Sequence, residues 1–308
     1  MACHLTVPTR GRRKRLPHIA CATLLVVLLA GCRPAAITRP AAEPRRIVST
    51  APSVTEILFA LGLGDRVAGV STFCRYPPEA AKLPKIGTFI NPNLEPILGL
   101  RPDLVIVIKN PIGLAGRLEA LGVRVLEVEQ DSLAGIESSV QRIGEATGVP
   151  DRAAALNAGL REKFDRVRRS VAGRPKRRIA FLVGRSPGEL QGMVAVGRAS
   201  YLTELMEMAG GANVFADAGA AYPKVSLEGI LARDPDVIVD MGEMADTAGV
   251  TEARKRAVVD LWRRYPALAA VRAGRVHAVA DDIFVVPGPR AADAAQAFAR
   301  LLHPEAAP

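Results

Sequence analysis

The chain has few aromatic residues, few histidines and little usable cysteine, and no apolar run of membrane-spanning length. Aromatic residues make up 4% of the 308, with a single Trp, so a group of rings in matching positions stands out against a low background. Beyond the first 31 residues only His277 and His303 remain, far apart in sequence. A bare zinc or manganese site, which wants clustered His and carboxylates, is disfavoured. Of the four cysteines, Cys3, Cys21 and Cys32 fall near the amino terminus and only Cys74 lies in the body of the chain, so no internal disulfide is expected there. No G-x-G-x-x-G follows the first strand, and there is no P-loop and no G-x-S-x-G elbow. The acids show no paired spacing that singles out an acid/base couple.

What remains is globular. Hydrophobic residues are 49% of the chain, and Gly and Pro are common without being repetitive, a composition of folded domains with more than one lobe in reach at this length. The formal charge of +10 would suggest nucleic acid. However, Arg10, Arg12, Arg13, Lys14 and Arg15 sit in an acid-free leader, and without them 36 basic side chains face 31 acidic ones. Half of the excess belongs to a targeting segment, and no nucleic-acid partner is expected.

That leader is a basic cluster followed by a run of apolar or small residues from Ile19 to Gly31. This is the pattern of a secretory signal, and it falls short of the roughly 20 residues a spanning helix needs. The run closes on Leu28-Leu29-Ala30-Gly31-Cys32, which resembles a bacterial lipobox. The resemblance implies that residues 1–31 are removed and that Cys32 carries acyl chains, more than one being what stable anchoring takes. Residues 32–44 then read as a lipidated Cys and a Pro/Ala tether.

Strand and helix signals alternate after residue 45. Ile47-Val48-Ser49-Thr50 reads as a buried strand, followed by Ser53 and Glu56 at capping-box spacing and a helix closed by Gly62. Val67–Val70 and Leu104–Ile108 read as further strands, the second covered on both faces, and residues 133–147 as a helix. A second series starts at Arg178 with Ile179–Val183. At an offset of 133 residues, Asn93-Leu94-Glu95-Pro96-Ile97-Leu98 with Pro102-Asp103-Leu104-Val105-Ile106 is matched by Ser226-Leu227-Glu228-Gly229-Ile230-Leu231 with Pro235-Asp236-Val237-Ile238-Val239. Each copy predicts a cap, an acid in the first helical turn, a Pro-Asp break and a buried strand, and two copies in register predict two related lobes. Between them Leu156, Leu160, Phe164, Val167 and Val171 mark one face of a long helix. The expected architecture is α/β: two Rossmann-like lobes with mainly parallel sheets, residues 45–150 and 173–308, joined by a single helix over 151–172. The cleft between them is the default ligand site.

These segments, with Tyr76-Pro77-Pro78-Glu79, Gly87-Thr88-Phe89, Tyr222-Pro223-Lys224 and Pro287-Gly288-Pro289-Arg290, resemble the substrate-binding proteins of ABC importers for cobalamin, ferric siderophores and haem. The resemblance runs from about Arg45 to the last helix. It implies a monomeric receptor, not an enzyme, with no cofactor beyond its ligand, that hands a metal chelate to a permease dimer with its ATPase. It implies docking to the permease through Glu95 and Glu228, one per lobe, and a cleft lined by Tyr76, Phe89 and Tyr222, whose flat rings suit a macrocycle. Arg290 and Lys224 would meet anionic ligand groups or nearby carboxylates. Cys74 is either a thiolate ligand or a small buried hydrophobe. Cobalamin or a related corrinoid is the first ligand, and a ferric siderophore or haem the alternative. Members that bind cobalamin often use Trp in the cleft, whereas Trp262 here reads as core. A competing class is a lipid-anchored enzyme that processes metal chelates with Cys74 as its reactive thiol.

Overall fold

The computed structural model describes residues 43–109, 112–243 and 250–306, and in it the apolar runs become buried parallel strands. In the first lobe β1 (Ile47–Ser49), β2 (Val67–Val70), β3 (Leu104–Ile108) and β4 (Val125–Val128) form a sheet of order β2-β1-β3-β4. Every pair in it is parallel. Four helices cover it: α1 (Pro52–Ala60), α2 (Leu94–Gly99), α3 (Leu114–Glu119) and α4 (Leu133–Thr147). Alternate strand residues feed two cores. Ile47, Leu104 and Ile106 pack on α1 and α4, whereas Val48, Val105 and Val107 pack with Ile97 and Leu118 of α2 and α3. A sheet covered on both faces needs unbroken apolar strands, which is why LVIVI reads as it does.

The long helix is α5 (Pro150–Ser170), of 21 residues and about 32 Å at the standard rise. It begins on Pro150, whose fixed φ and missing N–H suit a first helical position, and it ends two residues before the expected stop. Leu160, Phe164 and Val167 are buried on its inner face.

The second lobe carries β5 (Arg177–Gly184), β6 (Met193–Ala195), β7 (Gly211–Asn213), β8 (Lys224–Val225), β9 (Val237–Asp240) and β10 (Val276–Ala278). Its helices are α6 (Tyr201–Met208), α7 (Leu227–Arg233), α8 (Glu252–Arg263), α9 (Ala269–Arg272) and α10 (Ala291–Leu302). Here the sheet is mixed. β5 pairs in parallel with β9 and β7, but β6 runs antiparallel to β5 and to β8. Only eight residues separate β5 from β6, too few for the crossover a parallel neighbour requires. Trp262 of α8 is fully buried, as expected of a core residue, and its indole N–H donates to the Asp240 carboxylate at 2.8 Å.

The sequence repeat is also a structural one. Asn93 and Ser226 cap α2 and α7, accepting from Glu95 N and Gly229 N. Each helix is followed by a residue in the left-handed region, Arg101 (φ 46°) and Asp234 (φ 35°). Asp103 then accepts from the backbone N–H of Arg45 and Arg46, and Asp236 from that of Arg178. The side chain of Arg46 donates to Leu100 O and that of Arg178 to Arg233 O and Asp234 O. The same local device thus fastens one helix to the first strand of each lobe.

The lobes share packing. Ile136 of α4 belongs to the core built on β5, α5, α6 and α10, and the N–H of Leu133 donates to Glu204 Oε1 of α6 at 3.1 Å. Among the described residues no helix is long and apolar enough to cross a membrane. Cys32 and the leader lie outside the described residues.

Candidate functional site

The site begins at the first turn of α1, where the structure departs from the capping-box expectation. The N-cap is Ala51, with no side-chain cap, and Pro52 starts the helix. Ser53 and Glu56 are freed from capping and turn to the seam between the lobes. Ser53 Oγ donates to Gln130 Oε1 at 2.5 Å, and Glu56 accepts two hydrogen bonds from Arg290, at 3.0 and 2.5 Å. Both side chains of that pair are largely shielded, at 3% exposure for Glu56 and 17% for Arg290. Burial pushes the Glu56 carboxyl up from its ordinary value, and Arg290 pulls it back. An Arg fork on a carboxylate is the strong, geometrically specific form of ion pair, and here it joins residues 234 apart in sequence.

Tyr76 lies against the outer side of this pair. The Arg290 guanidinium stands 4.1 Å from the centroid of its ring, within cation–π range. Tyr76 follows β2, Gln130 follows β4 and Arg290 follows β10, so all three sit beyond the carboxyl ends of parallel strands, where α/β sheets present ligand contacts. A recess of about 960 Å³ opens beside Tyr76 and Arg290 and runs along α1 and α5, lined by Glu56 and Phe59 on one side and Leu156, Leu160 and Lys163 on the other. Phe89, Tyr222 and Cys74 are not part of its lining.

Phe89 and Tyr222 are both half exposed, as is Tyr76. Phe89 meets Phe73 edge to face, with centroids 6.1 Å apart. Phe73 is itself exposed and was missed in the sequence, although it stands one residue before Cys74. The Tyr222 hydroxyl pairs with Ser200 Oγ at 3.4 Å. Desolvation pushes its phenol up, Ser200 opposes this, and the Asp131 carboxylate of the first lobe adds to the rise. The ring is thus half open to solvent while its phenol oxygen lies inward against Ser200. Lys224, two residues on, is exposed.

Of the two readings of Cys74, the structure favours the small buried residue. It is 1% exposed, in the core with Val54 and Leu58. Its sulfur is held at 3.1 Å from Thr55 Oγ1 and 3.2 Å from Ser71 Oγ. Burial pushes the thiol up, against those hydrogen bonds. Reactive thiols are depressed and accessible, so Cys74 behaves as a small core residue and the thiol-enzyme reading loses its reactive group. Arg290, for its part, meets a protein carboxylate, with Nε and Nη2 engaged by Glu56. Among the described residues no group of three His, Cys, Asp or Glu is placed to hold a metal.

Glu95 and Glu228 occupy equivalent, exposed positions in the first turns of α2 and α7. The backbone N–H at Glu228, together with Ser226, holds the Glu228 carboxyl below its ordinary value.

Two α/β sheets, each with its own helices, joined by one long helix are the architecture of a bilobal ligand-binding protein. Residues 47–282 match the family described as periplasmic binding protein, and the chain belongs to that family, the substrate-binding proteins of ABC importers. It is a binding component of transport and not an enzyme. The vitamin B12-binding protein of Vibrio cholerae is 28% identical over 281 residues, spanning 89% of this chain and 96% of that protein. The crystal structure of periplasmic vitamin B12 binding protein BtuF of Vibrio cholerae superposes with a TM-score of 0.71 at 28% identity, over 84% of this chain and 97% of that one. The periplasmic heme-binding protein RhuT from Roseiflexus sp. RS-1, in apo form, gives a TM-score of 0.70 at 29% identity, over 85% and 99%.

Proposed function

We propose that this chain is a lipid-anchored receptor that binds cobalamin or a related corrinoid between its lobes and delivers it to the permease dimer of an ABC importer. The observation that carries the ligand class is the set of half-exposed rings, Tyr76, Phe89 and Tyr222, in a chain with so few aromatics. Large rings left open at a seam offer flat apolar area to a flat macrocycle. The likeness to vitamin B12-binding proteins supports the corrinoid.

Haem is the second reading, supported by the similar likeness to a heme-binding protein. A ferric siderophore shares the same receptor role. The division into a leader (1–31), a tether (32–44), two lobes (45–150 and 173–308) and a connecting helix belongs to the same proposal, with Cys32 lipidated and the protein working as a monomer on the outer face of a membrane. Glu95 and Glu228 dock the permease, one acid per lobe for a symmetric pair of subunits.

Calorimetric titration of the full chain in detergent with cyanocobalamin, haemin and a ferric-hydroxamate panel tests the ligand. One-to-one binding of cyanocobalamin at micromolar Kd or tighter, with weaker binding of the others, is expected. Binding of haemin or a hydroxamate alone would move the ligand, and binding of none would remove the chelate-receptor reading. Labelling of cells with an alkyne fatty acid tests the anchor: the label should be lost in Cys32→Ala, and its retention would refute lipidation at that residue.

A further inference from the structure

We propose that Glu56 is a positioning residue for ligand binding: it holds Arg290 across the lobe seam, so that Arg290 serves as a platform for the Tyr76 ring and not as a counter-ion for the ligand. This rests on the reading above that Tyr76 walls the ligand cleft.

Three features carry it. The first is geometry: a bidentate pair joins the first helix of one lobe to the entry of the last helix of the other, and the same guanidinium lies over Tyr76. One planar group therefore fixes both the seam and the ring. An Arg already forked onto a carboxylate has lost most of the freedom a new partner would have to restrain.

The second is charge. Asp281 and Asp282 also act on Arg290, and Asp282 and Asp293 on Glu56, so the pair stands among further carboxylates. The Lys163 ammonium offsets Asp293 from 3.6 Å. Such a surround repels an incoming carboxylate and favours a neutral ligand edge at Tyr76.

The third is the backbone that presents Arg290. Arg290 is preceded by Pro287-Gly288-Pro289. A β-carbon built on Gly288 would stand 3.4 Å from Glu56 Oε2 and 3.5 Å from Ser53 Cα. The segment is therefore seated directly on the first turn of α1.

Buried ion pairs are often replaceable by apolar residues of similar volume at little cost in stability, and this separates positioning from mere stabilisation. The test compares the parent full chain with E56Q, with R290K and with the double variant E56M/R290M. Cyanocobalamin and haemin serve as probes, with thermal melts and the near-ultraviolet circular dichroism of Tyr76 taken as a difference against Y76F.

The expected result is a double variant that melts within a few degrees of the parent. It should lose the Tyr76 signal and bind the parent's preferred probe at least tenfold more weakly. R290K, which keeps the charge without the fork, should also weaken binding at least threefold. E56Q should weaken both probes. If Arg290 were a counter-ion, freeing it in E56Q would strengthen haemin binding, and that outcome overturns the proposal. So does a stable double variant with parental affinity and an intact Tyr76 signal. If the parent binds neither probe, the ligand assignment fails by itself. The ligand-free Tyr76 signal then still decides: its persistence in the double variant overturns the positioning role, and its loss supports it.

Discussion

Tyr222→Ala is the substitution whose effect on binding follows most directly from the structure. The residue is 48% exposed, so up to about half of its surface is open for a ligand to cover. A large aromatic carries about 150–250 Å² that burial can remove, and the open half, about 75–125 Å², corresponds to about 2–3 kcal/mol at about 25 cal/mol per Å². Ordering the ligand and the cleft takes back part of this, which leaves a loss of about tenfold or more in affinity. The phenol oxygen contributes little by itself, because its contact with Ser200 is long at 3.4 Å. Tyr222→Phe should therefore bind nearly as the parent does. Calorimetric titration with cyanocobalamin measures both variants, and a thermal melt checks folding. Truncating a half-exposed turn residue should cost stability within about 1 kcal/mol. If Tyr222→Ala binds within threefold of the parent while melting normally, the ring is not a cleft wall and the proposed ligand site is misplaced.

Other perturbations address the remaining elements. Replacing both Glu95 and Glu228 by Ala should leave ligand affinity and melting temperature unchanged while abolishing uptake in cells. Normal uptake would refute docking through these acids. Cys74 should resist iodoacetamide at pH 8, since a raised thiol pKa leaves less thiolate at any given pH, and should react fully only after unfolding in urea. Rapid labelling of the native chain would contradict its burial. Asp240→Ala should cost about 3–5 kcal/mol in urea unfolding, because it leaves a buried cation without its partner. Asp240 is fully buried and accepts from Arg185 Nε at 3.0 Å, from Trp262 Nε1 at 2.8 Å and from the Gly242 N–H at 2.6 Å. A cost below 1 kcal/mol would mean that this network is dispensable.

The fold was legible wherever a residue's role is local. Caps act within one turn, so Asn93 and Ser226 announced α2 and α7 from the sequence alone. Parallel strands buried on both faces must be continuously apolar, so β3, β5 and β9 could be read directly. The duplicated helix-break-strand unit reappears down to its left-handed residues, Arg101 and Asp234, of which Asp is a residue type that favours that region and Arg is not. The mixed second sheet was not legible. β6 and β8 have three and two residues, too short for any periodicity, and their direction is set by the length of a loop and not by composition.

The seam was misread for a related reason. Ser53 and Glu56 have the spacing of a capping box, and a local reading assigns them to the helix they begin. Pro52 removes that need, because a helix that starts on proline has one fewer orphan N–H to satisfy. The two side chains are then available to partners that only the fold brings near, Gln130 and Arg290, which lie 77 and 234 residues away. No pattern within a window of a few turns can contain such a pair. The same reasoning explains Arg290, where an unpaired cation near a cleft suggests an anionic ligand and a cation already forked onto a buried carboxylate does not. On the proposed reading, lobes tied by a long helix and by this pair would close little around the ligand. Selection in the proposed cleft would then fall on three half-exposed rings and a guanidinium already forked onto Glu56.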